Sequence, residues 1–422
     1  MNKIVFFLET KIPIGDNQFI FLDLAAYLAE NTDIEIYYIN NYFKEDANRN
    51  LSNKLHFCTP EEFDFEAAGD AVYFTPVNYL MHLIVRIRNC PYAKVCLYQY
   101  SNQALEWLSR NMDYVCSQKA IDDFINEYDA RAYFNLSCVG RQVSFKNNNE
   151  IVFLPNVLGE KCSYSFEFRG LIDRDRINIG LLGPLNSETV YTLYNLFANF
   201  QISQNNKKTD IHIIGKSKIF LNDVFKKSSS NRTRIIFTGE LNKENRKNYI
   251  NKNVDMVLAN SSYAIEAATC AVPVILPVSQ NKPYIGNNYV YLFDAKGYKY
   301  NLDYSSLIAL GSISHPLSEI LDDIYIYDKK EKLARDCYKY CAENNALEVV
   351  SSKFLDFIES SKLYLKDCLC ENWLAECLKR YDNFVLNHNI SGYAAFLDAK
   401  EAIKRIQTGG RMLNDRASEK NI

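Results

Sequence analysis

The sequence lacks any long uninterrupted run of apolar residues, although 48% of its 422 residues are hydrophobic. Roughly 18 to 20 consecutive apolar residues are needed to span a bilayer, so no membrane-spanning segment is predicted. The first residues, Met1 to Lys3, precede a short apolar stretch that Glu9 ends, which is not the pattern of a secretory signal. We therefore expect a soluble protein, or at most one that lies against a membrane surface.

An excess of positive charge is also missing. The chain has 48 Lys and Arg against 51 Asp and Glu, a formal net charge of -3. Nucleic-acid partners favour a basic face, so none is predicted. Repeats at solenoid periods and low-complexity tracts are absent as well, and a chain of this length predicts two or three globular domains.

The twelve Cys and five His show no metal-binding pattern. There is no pair of Cys-x-x-Cys units with a nearby His, as a zinc site would need, and no paired Asp motif suited to Mg²⁺. We predict no metal and no cofactor. The thiols are expected to be reduced and mostly buried, as in a cytosolic protein, with a labile metal or a disulfide as the alternative.

Short apolar runs alternate with longer amphipathic stretches in both halves of the chain, which predicts α/β domains with parallel sheets covered on both faces. In the first half, strands are predicted at 3–8, 34–39, 71–75, 94–98, 114–116 and 151–154. In the second half they are predicted at 177–182, 210–215, 234–238, 255–259, 273–276 and 289–293, with helices at 187–200, 219–227, 243–251 and 263–270. The order suits right-handed βαβ units.

This pattern predicts two Rossmann-like, doubly wound domains, at 1–170 and 171–345, joined by the charged stretch Arg169–Arg176. Such domains would face a cleft at the carboxyl ends of their strands, where ligands bind. From 346 to 422 we predict a helical extension with a polar tail. The predicted helices beyond 330 are 330–343, 346–362, 372–386 and 392–406.

Glu266 is the only charged residue in the run from Ser261 to Pro277, which is typical of a short helix followed by a buried strand. A carboxylate buried without a partner costs several kcal/mol, so Glu266 needs one. The start of the helix, with Ser261 and Ser262, is a natural anion site because its N–H groups are free. Ser262 and Glu266 are four residues apart and share a helix face. A capping box would need the acid three residues after the cap, so ligand contact is favoured over capping.

The segment Val254–Ile275 resembles the donor-site motif of GT-B glycosyltransferases, and is most similar to the glycogen-synthase-like group that uses nucleotide sugars. In that group a strand, a Ser- or Gly-rich turn and a helix bearing Glu-Ala precede a Gly-x-Pro and a buried strand. The resemblance implies that Glu266 contacts the nucleotide ribose and that Ser261 and Ser262 lie near the phosphates.

Three glycines that end predicted strands agree with the resemblance, in the segments Ile177–Gly183, Ile211–Gly215 and Ile236–Gly239. It implies that Gly183, Gly215 and Gly239 line the donor site. Leu154–Val157 and Asp113–Gln118 are similar to segments that close the N-terminal domain. The resemblance covers roughly residues 1–345.

The sequence departs from the family pattern at several positions. Leu258 stands where the family has a first Glu, Thr189 stands where it has the Lys of a phosphate clamp, and Ala271 stands where it has Gly. Lys216 and Lys218 follow Gly215 and could replace the clamp, since a departing diphosphate needs neutralising charge; the alternative is that they are ordinary surface lysines.

The loop from Glu9 to Asp16, directly after the first predicted strand, offers two carboxylates that could accept the proton of an acceptor hydroxyl. Asp16 could accept the proton, or it could cap the following helix; Glu9 is the second candidate. His82 lies in an apolar helix at 79–88 and is interpreted as a core residue. That helix also carries Arg86 and Arg88, for which contact with anionic lipid is the alternative to core packing.

The resemblance implies sugar transfer, by a hexosyl- or related transferase, from a nucleotide sugar to a hydroxyl of a glycan or lipid-linked acceptor. A bacterial surface polysaccharide pathway follows from the family only, as does a cytoplasmic location at the inner face of the membrane. Two alternatives stay open: a nucleotide-sugar epimerase on the same fold, and a binding or scaffold protein with a degenerate site.

Overall fold

The computed structural model describes residues 2–8, 17–40, 53–139, 151–158, 166–184, 187–202, 207–216, 232–278, 286–311 and 313–388. The chain divides into two compact units. Unit 1 contains the described residues of 1–134, 138–154 and 351–422, and unit 2 those of 135–137 and 155–350. The chain thus enters unit 2 mainly at Pro155 and rejoins unit 1 at Ser351. The sequence analysis had placed the domain boundary at 170 and a separate extension from 346.

Unit 1 is built on a parallel sheet in which β1 is central. The strand order is β3-β2-β1-β4-β5-β6, and every neighbouring pair is parallel. The strands are β1 (Lys3–Leu8), β2 (Glu35–Asn40), β3 (Leu55–Cys58), β4 (Val72–Pro76), β5 (Lys94–Gln99) and β6 (Arg131–Tyr133). Ile4, Val5, Phe6 and Phe7 are fully buried, so both faces of β1 are covered, as expected for a parallel sheet.

Unit 2 repeats the arrangement. Its strands are β7 (Arg176–Leu182), β8 (Lys208–Ile214), β9 (Thr233–Gly239), β10 (Met256–Ala259), β11 (Val274–Pro277) and β12 (Tyr289–Tyr291). The order is β12-β11-β10-β7-β8-β9. All neighbours are parallel except the edge strand β12, which is antiparallel to β11.

The described helices cover the two sheets. In chain order they are α1 (Asn17–Asn31), α2 (Leu80–Ile87), α3 (Ala104–Asn111), α4 (Gln118–Glu127), α5 (Ser187–Ile202), α6 (Lys243–Asn253), α7 (Ser261–Ala268), α8 (Tyr304–Leu310), α9 (Leu317–Tyr325), α10 (Lys330–Asn345), α11 (Leu347–Ser360), α12 (Leu365–Leu369) and α13 (Asn372–His388). Short 3₁₀ helices occur at Val77–Tyr79, Leu136–Cys138 and Leu292–Asp294. Both units are therefore doubly wound α/β folds, as predicted.

Strand order reverses at one place in each sheet, next to the strand that comes first in that unit. In unit 1 the reversal lies between β1 and β4, and in unit 2 between β7 and β10. The connections on either side leave the carboxyl edge in opposite directions, which opens a crevice there, the usual ligand position in open α/β sheets. For unit 2 this crevice lies beside Gly183 and the start of α7.

The last described helices complete the core of unit 1. Phe354 of α11 is fully buried. Its ring stacks on Phe6 of β1 at a centroid distance of 5.4 Å and meets Phe74 of β4 edge-on at 4.9 Å. The predicted helices at 346–362 and 372–386 are therefore part of a doubly wound unit, while the helices predicted at 219–227 and 392–406 lie outside the described residues.

The strand predicted at 114–116 is wrong. Asp113 and Tyr114 have φ values of +55° and +56°, which a strand does not allow, and Tyr114 is 63% exposed. The apolar pattern here comes from the turn between α3 and α4. The sixth strand is instead β6, and the edge strand β3 was also missed. Of the stretch predicted at 151–154, Phe153 forms an isolated bridge with Tyr133.

Helix α2 packs into the core of unit 1. The sequence analysis favoured this core packing and gave contact with anionic lipid as the alternative. His82 and the apolar residues of α2 other than Val85 are buried. Arg86 pairs with Glu61 at 3.1 Å and Arg88 with Asp382 at 2.9 Å. Within the described ranges, none of the helices is both long and apolar enough to span a bilayer.

The described cysteines are thiols, and nine of them are buried; Cys58 is half-buried and Cys370 exposed. Burial raises the pKa of Cys96 and of Cys337 to about 12. Such thiols are protonated at neutral pH and unreactive. They act as small apolar core residues.

Candidate functional site

The carboxyl edge of the unit 2 sheet is formed by glycine turns after three neighbouring strands. The N–H of Gly183 donates to the carbonyl of Ile214, and the N–H of Gly215 donates to the carbonyl of Gly239, both at 3.1 Å. A Cβ atom added to Gly215 would lie 2.0 Å from the Gly183 carbonyl oxygen, so no other residue fits. Gly215 is thus required by the close packing of two turns, whereas no atom of the described residues lies within 4 Å of a Cβ added to Gly239, so a ligand can approach the backbone there.

Helix α7 begins at this edge, directly after β10. It starts at Ser261, two residues earlier than predicted, with Asn260 at the N-cap position and no side-chain cap hydrogen bond. Ser261 has a φ of +52°, a conformation that costs a non-glycine residue about 1 kcal/mol or more and is concentrated at functional sites. Ser261 and Ser262 thus lie at the start of a helix at the crevice. The N–H of Ser261 donates to the carbonyl of Tyr300 at 3.2 Å, which leaves the following N–H groups of the first turn as the candidates for an anion.

Glu266 lies one turn further along α7, and its carboxylate has a partner within the chain. Arg246 donates from Nε to Oε1 at 2.6 Å and from Nη2 to Oε2 at 2.7 Å. Both side chains are 17% exposed. The expectation that Glu266 needs a partner is met by this two-point ion pair; contact of the same carboxylate with a ribose stays a prediction.

Arg246 lies on α6 and connects three parts of the site. Its Nη1 donates to the carbonyl of Leu241 at 2.9 Å, in the loop that follows β9. Its guanidinium lies 5.7 Å from the ring centre of Tyr263, and a Cβ on Gly183 would meet that ring at 3.5 Å. Burial lowers the Arg246 pKa, but the hydrogen bond and charge of Glu266 outweigh it, so the pKa is raised above its usual value.

Sequence reasoning missed Arg246: the helix at 243–251 was predicted, but none of its residues was singled out. One signal was available. Arg246 precedes Ile250 by four residues, and Ile250 is the fully buried residue of α6. Residues four apart share a helix face, so Arg246 had to point toward the sheet, where a guanidinium requires a carboxylate or carbonyl partner.

The other predicted site residues are less constrained. Lys216 follows Gly215 and pairs with Glu240 at 3.5 Å, with both side chains about two-thirds exposed. Its charge is thus near the edge and is paired with that of Glu240. Lys218, Glu9 and Asp16 lie outside the described residues, and the roles assigned to them stay predictions.

The structure therefore brings most of the predicted donor residues to one edge of one sheet. Three turns and one helix contribute them: Gly183, Gly215, Lys216, Gly239, Ser261, Ser262 and Glu266. The described residues contain no group of three or more His, Cys, Asp or Glu side chains arranged to hold a metal ion.

No protein-family model matches this sequence, and no curated protein matches it. Solved structures do. The apo form of the lipopolysaccharide outer core galactosyltransferase WaaB is similar with a TM-score of 0.50 and 13% identity, over 85% of this chain and 99% of that one. The N-terminal domain of Candida albicans trehalose-6-phosphate phosphatase gives 0.50 and 12%, over 86% and 97%.

The apo structure of OtsA is also similar, with a TM-score of 0.50 and 8% identity, over 85% of this chain and 99% of that one. At such identities the likeness shows the fold. Together with the two doubly wound sheets and the motif at 254–275, it confirms the resemblance stated from the sequence at the level of fold. The chain has the two-domain, Rossmann-like GT-B fold of glycosyltransferases.

Proposed function

We propose that this protein is a glycosyltransferase that moves a sugar from a nucleotide-sugar donor to a hydroxyl of a glycan or lipid-linked acceptor. One observation carries the proposal. Three features come together where the strand order of the unit 2 sheet reverses, between β7 and β10: a glycine turn, the start of a helix and a half-buried carboxylate. They follow one another in the order that a phosphate and then a ribose would require. The GT-B fold supports it.

The donor would lie along this edge. The diphosphate would accept hydrogen bonds from the first turn of α7, where the helix dipole favours negative charge. Glu266 would accept from the ribose hydroxyls through charge-assisted hydrogen bonds. Gly183, Gly215 and Gly239 would let the backbone approach the nucleotide, and Lys216 and Lys218 would neutralise the departing diphosphate.

In the transfer step, the bond between the anomeric carbon and the diphosphate breaks, and the acceptor oxygen bonds to that carbon. The acceptor proton passes to a carboxylate, for which Asp16 is the first candidate and Glu9 the second. Both follow β1, the central strand of unit 1, in the sequence.

The class of acceptor is inferred from one of the similar structures, whose name describes a lipopolysaccharide outer core galactosyltransferase. We propose a surface glycan or its lipid-linked precursor, which would place the protein on the cytoplasmic side of a membrane. The same proposal includes four further points. The transferred sugar is a hexose or a related sugar, no metal is required, and no cofactor other than the nucleotide sugar takes part. The protein contacts the membrane surface peripherally.

The test is release of nucleoside diphosphate from a panel of uridine, guanosine, adenosine, cytidine and thymidine diphosphate sugars, with and without glycan or lipid-linked acceptors. Transfer predicts release that depends on the acceptor. An epimerase would convert the sugar without release, and a scaffold protein would show no turnover. Either of these two results overturns the proposal.

Glu266→Gln is the variant of choice, because it keeps the shape of the side chain and removes its charge. Loss of charge-assisted hydrogen bonds should lower kcat/KM for the donor by roughly tenfold or more. The matched control is Glu331→Gln, whose carboxylate pairs with Arg335 at 2.6 Å on the exposed face of α10 and whose activity should equal that of the wild type. Equal activity of Glu266→Gln and wild type would contradict the assigned role.

A further inference from the structure

Helix α8 and the turn after it expose three large apolar side chains on unit 2. Tyr304 is 49% exposed, Ile308 66% and Ile313 57%. Tyr304 and Ile308 are four residues apart and share a face of α8, while Leu307 anchors the helix in an apolar core of the unit. Gly311, with a φ of +55°, ends the helix and lets the chain turn before Ile313. We call Tyr304, Ile308 and Ile313 the α8 surface.

The α8 surface lies in a stretch without charge. No residue from 304 to 314 carries a formal charge, and four of the eleven are Ser. The exposed cation Lys296 borders the stretch, because its Nζ donates to the carbonyl of Gly311 at 3.0 Å. Apolar side chains on a helix with an uncharged polar remainder are typical of segments that lie in a membrane interface, such as lipid-packing sensors. A Tyr suits the level of the headgroups.

The chain that leads into α8 borders the edge to which the donor is assigned. The carbonyl of Tyr300 accepts from the N–H of Ser261 at the start of α7. Leu302 forms a bridge with Val278, directly after β11. Helix α8 therefore begins at the carboxyl edge of the unit 2 sheet. A bilayer in contact with α8 would lie beside this edge, where the sugar of a lipid-linked acceptor is needed.

We propose that the α8 surface docks this protein on a lipid bilayer, with Ile308 and Ile313 entering the boundary between headgroups and acyl chains. The inference rests on the proposed function, since a lipid-linked acceptor gives the contact its role. It names the surface that makes the peripheral contact and the physical nature of that contact, which is apolar.

The size of the α8 surface favours a bilayer over a second copy of the chain. Each of the three side chains exposes on the order of 100 Å², so the surface offers about 300 Å². A stable dimer buries about 800 Å² on each partner. A bilayer requires no complementary shape, and a small apolar area suffices for reversible binding to it.

An apolar contact also predicts a weak dependence on salt. Salt screens the attraction between exposed charges and anionic lipid, whereas it does not weaken the transfer of apolar side chains out of water. Binding to vesicles should therefore change by about twofold or less between about 0.1 M and about 0.5 M NaCl.

The experiment measures binding of the full chain to vesicles of phosphatidylcholine and phosphatidylglycerol by co-sedimentation. Ile308→Asp should lower the partition coefficient by roughly tenfold or more, the value of one apolar side chain removed from the contact. Ile326→Asp is the matched control, because Ile326 is 65% exposed and lies at the end of α9; it should bind as the wild type does. If Ile308→Asp does not fold, Ile313→Asp, outside the helix, gives the same readout.

Selective loss of binding in Ile308→Asp supports the inference. Equal binding of Ile308→Asp and wild type overturns it, as does a wild type that binds no vesicles or binds them only at low salt. Sedimentation velocity tests the other occupant: a wild-type dimer that Ile308→Asp dissociates would assign the surface to a second copy and also overturn it. None of these measurements uses a nucleotide sugar. Vesicle binding without any sugar transfer would therefore overturn the proposed function alone, and transfer without vesicle binding the inference alone.

Discussion

Ala271 has a left-handed backbone conformation, with a φ of +53°, in the turn that leads from α7 toward β11. An L-residue with a Cβ pays a steric cost there of about 1–2 kcal/mol. The sequence analysis marks this position as unusual, because Ala271 stands where the GT-B family pattern has Gly. The structure gives the reason: the turn requires the conformation that glycine adopts without strain.

We therefore expect Ala271→Gly to stabilise the protein. Relief of strain should exceed the extra flexibility that glycine brings to the unfolded chain, with a net gain of about 0.5–1 kcal/mol in the free energy of unfolding. Urea unfolding monitored by circular dichroism would measure it. Ala267→Gly, within α7 where the conformation is helical, is the opposite control and should cost about 1 kcal/mol or more. A loss of stability in Ala271→Gly would contradict the strain argument.

At the scale of the element, α10 is anchored to the unit 2 sheet by a buried ion pair. Lys330 is the first residue of the helix, and its Nζ donates to the carboxylate of Asp255 at 2.7 Å. Asp255 directly precedes β10. The side chain of Lys330 is 3% exposed and that of Asp255 is 0% exposed. Asp255 also accepts from Asn178 at 2.9 Å and from the Tyr325 hydroxyl at 3.1 Å. Buried charges persist only when they are paired and hydrogen-bonded in this way.

Lys330→Met should destabilise the protein strongly. Met retains much of the apolar stem but leaves Asp255 without its counter-charge, which typically costs about 3–5 kcal/mol. Chemical unfolding would show this as a lower midpoint. Lys329→Met is the neighbouring control: Lys329 pairs with Asp323 at 2.6 Å but is 49% exposed, and such a pair contributes about 1 kcal/mol or less. Equal effects of the two variants would show that burial of the pair is not decisive.

On the scale of the whole molecule, each unit has its own apolar core, and unit 1 is completed from the far end of the sequence. β1 begins at residue 3, yet Phe354 of α11 packs on its Phe6 side chain. Unit 2 has separate core clusters, one of which contains Leu317 of α9 beside residues of β7 and β8. Cores that share few residues commonly unfold as separate cooperative units.

Phe354→Ala should therefore weaken unit 1 selectively. Removal of a buried Phe costs about 3–5 kcal/mol, and hydrogen exchange should quicken in β1 and β4 while β7 and β10 keep their protection. Leu317→Ala is the reciprocal control and should quicken exchange in β7, β8 and β10, whose buried residues share its cluster, while β1 and β4 keep their protection. The same loss of protection in both sheets after either substitution would show that the two cores unfold together.

The sequence predicted the elements whose signal is local. β1 was predicted within its observed bounds, and β7 and β8 within two residues at either end, because buried parallel strands are short apolar runs that turn residues bound. The glycines at the carboxyl edge of unit 2 were predicted from the resemblance to GT-B glycosyltransferases, on segments where a strand precedes a glycine. Gly183, Gly215 and the start of α7 each follow a strand end that the pattern already marks.

The misses lie where local pattern and structure diverge. The run 114–116 looks like a strand, but it lies in the turn between α3 and α4, where Val115 and Cys116 pack against the core of unit 1. β3 and β6 are short edge strands, and too few residues carry their alternation to separate them from a loop. The attachment of α11 to unit 1 could not be predicted either, since no local property of 347–360 states which of two similar sheets it covers.

By itself the sequence determined the alternation of strands and helices, the two doubly wound sheets and the placement of one acidic residue on the short helix after β10. The reason is that apolar periodicity and turn chemistry act over a few neighbouring residues. Only the tertiary structure decided that Glu266 pairs with Arg246 and that Phe354 returns to β1. Those contacts join residues 20 and 348 positions apart in the chain. They depend on which helix faces which sheet, and packing of the complete core, rather than any local pattern, determines that choice.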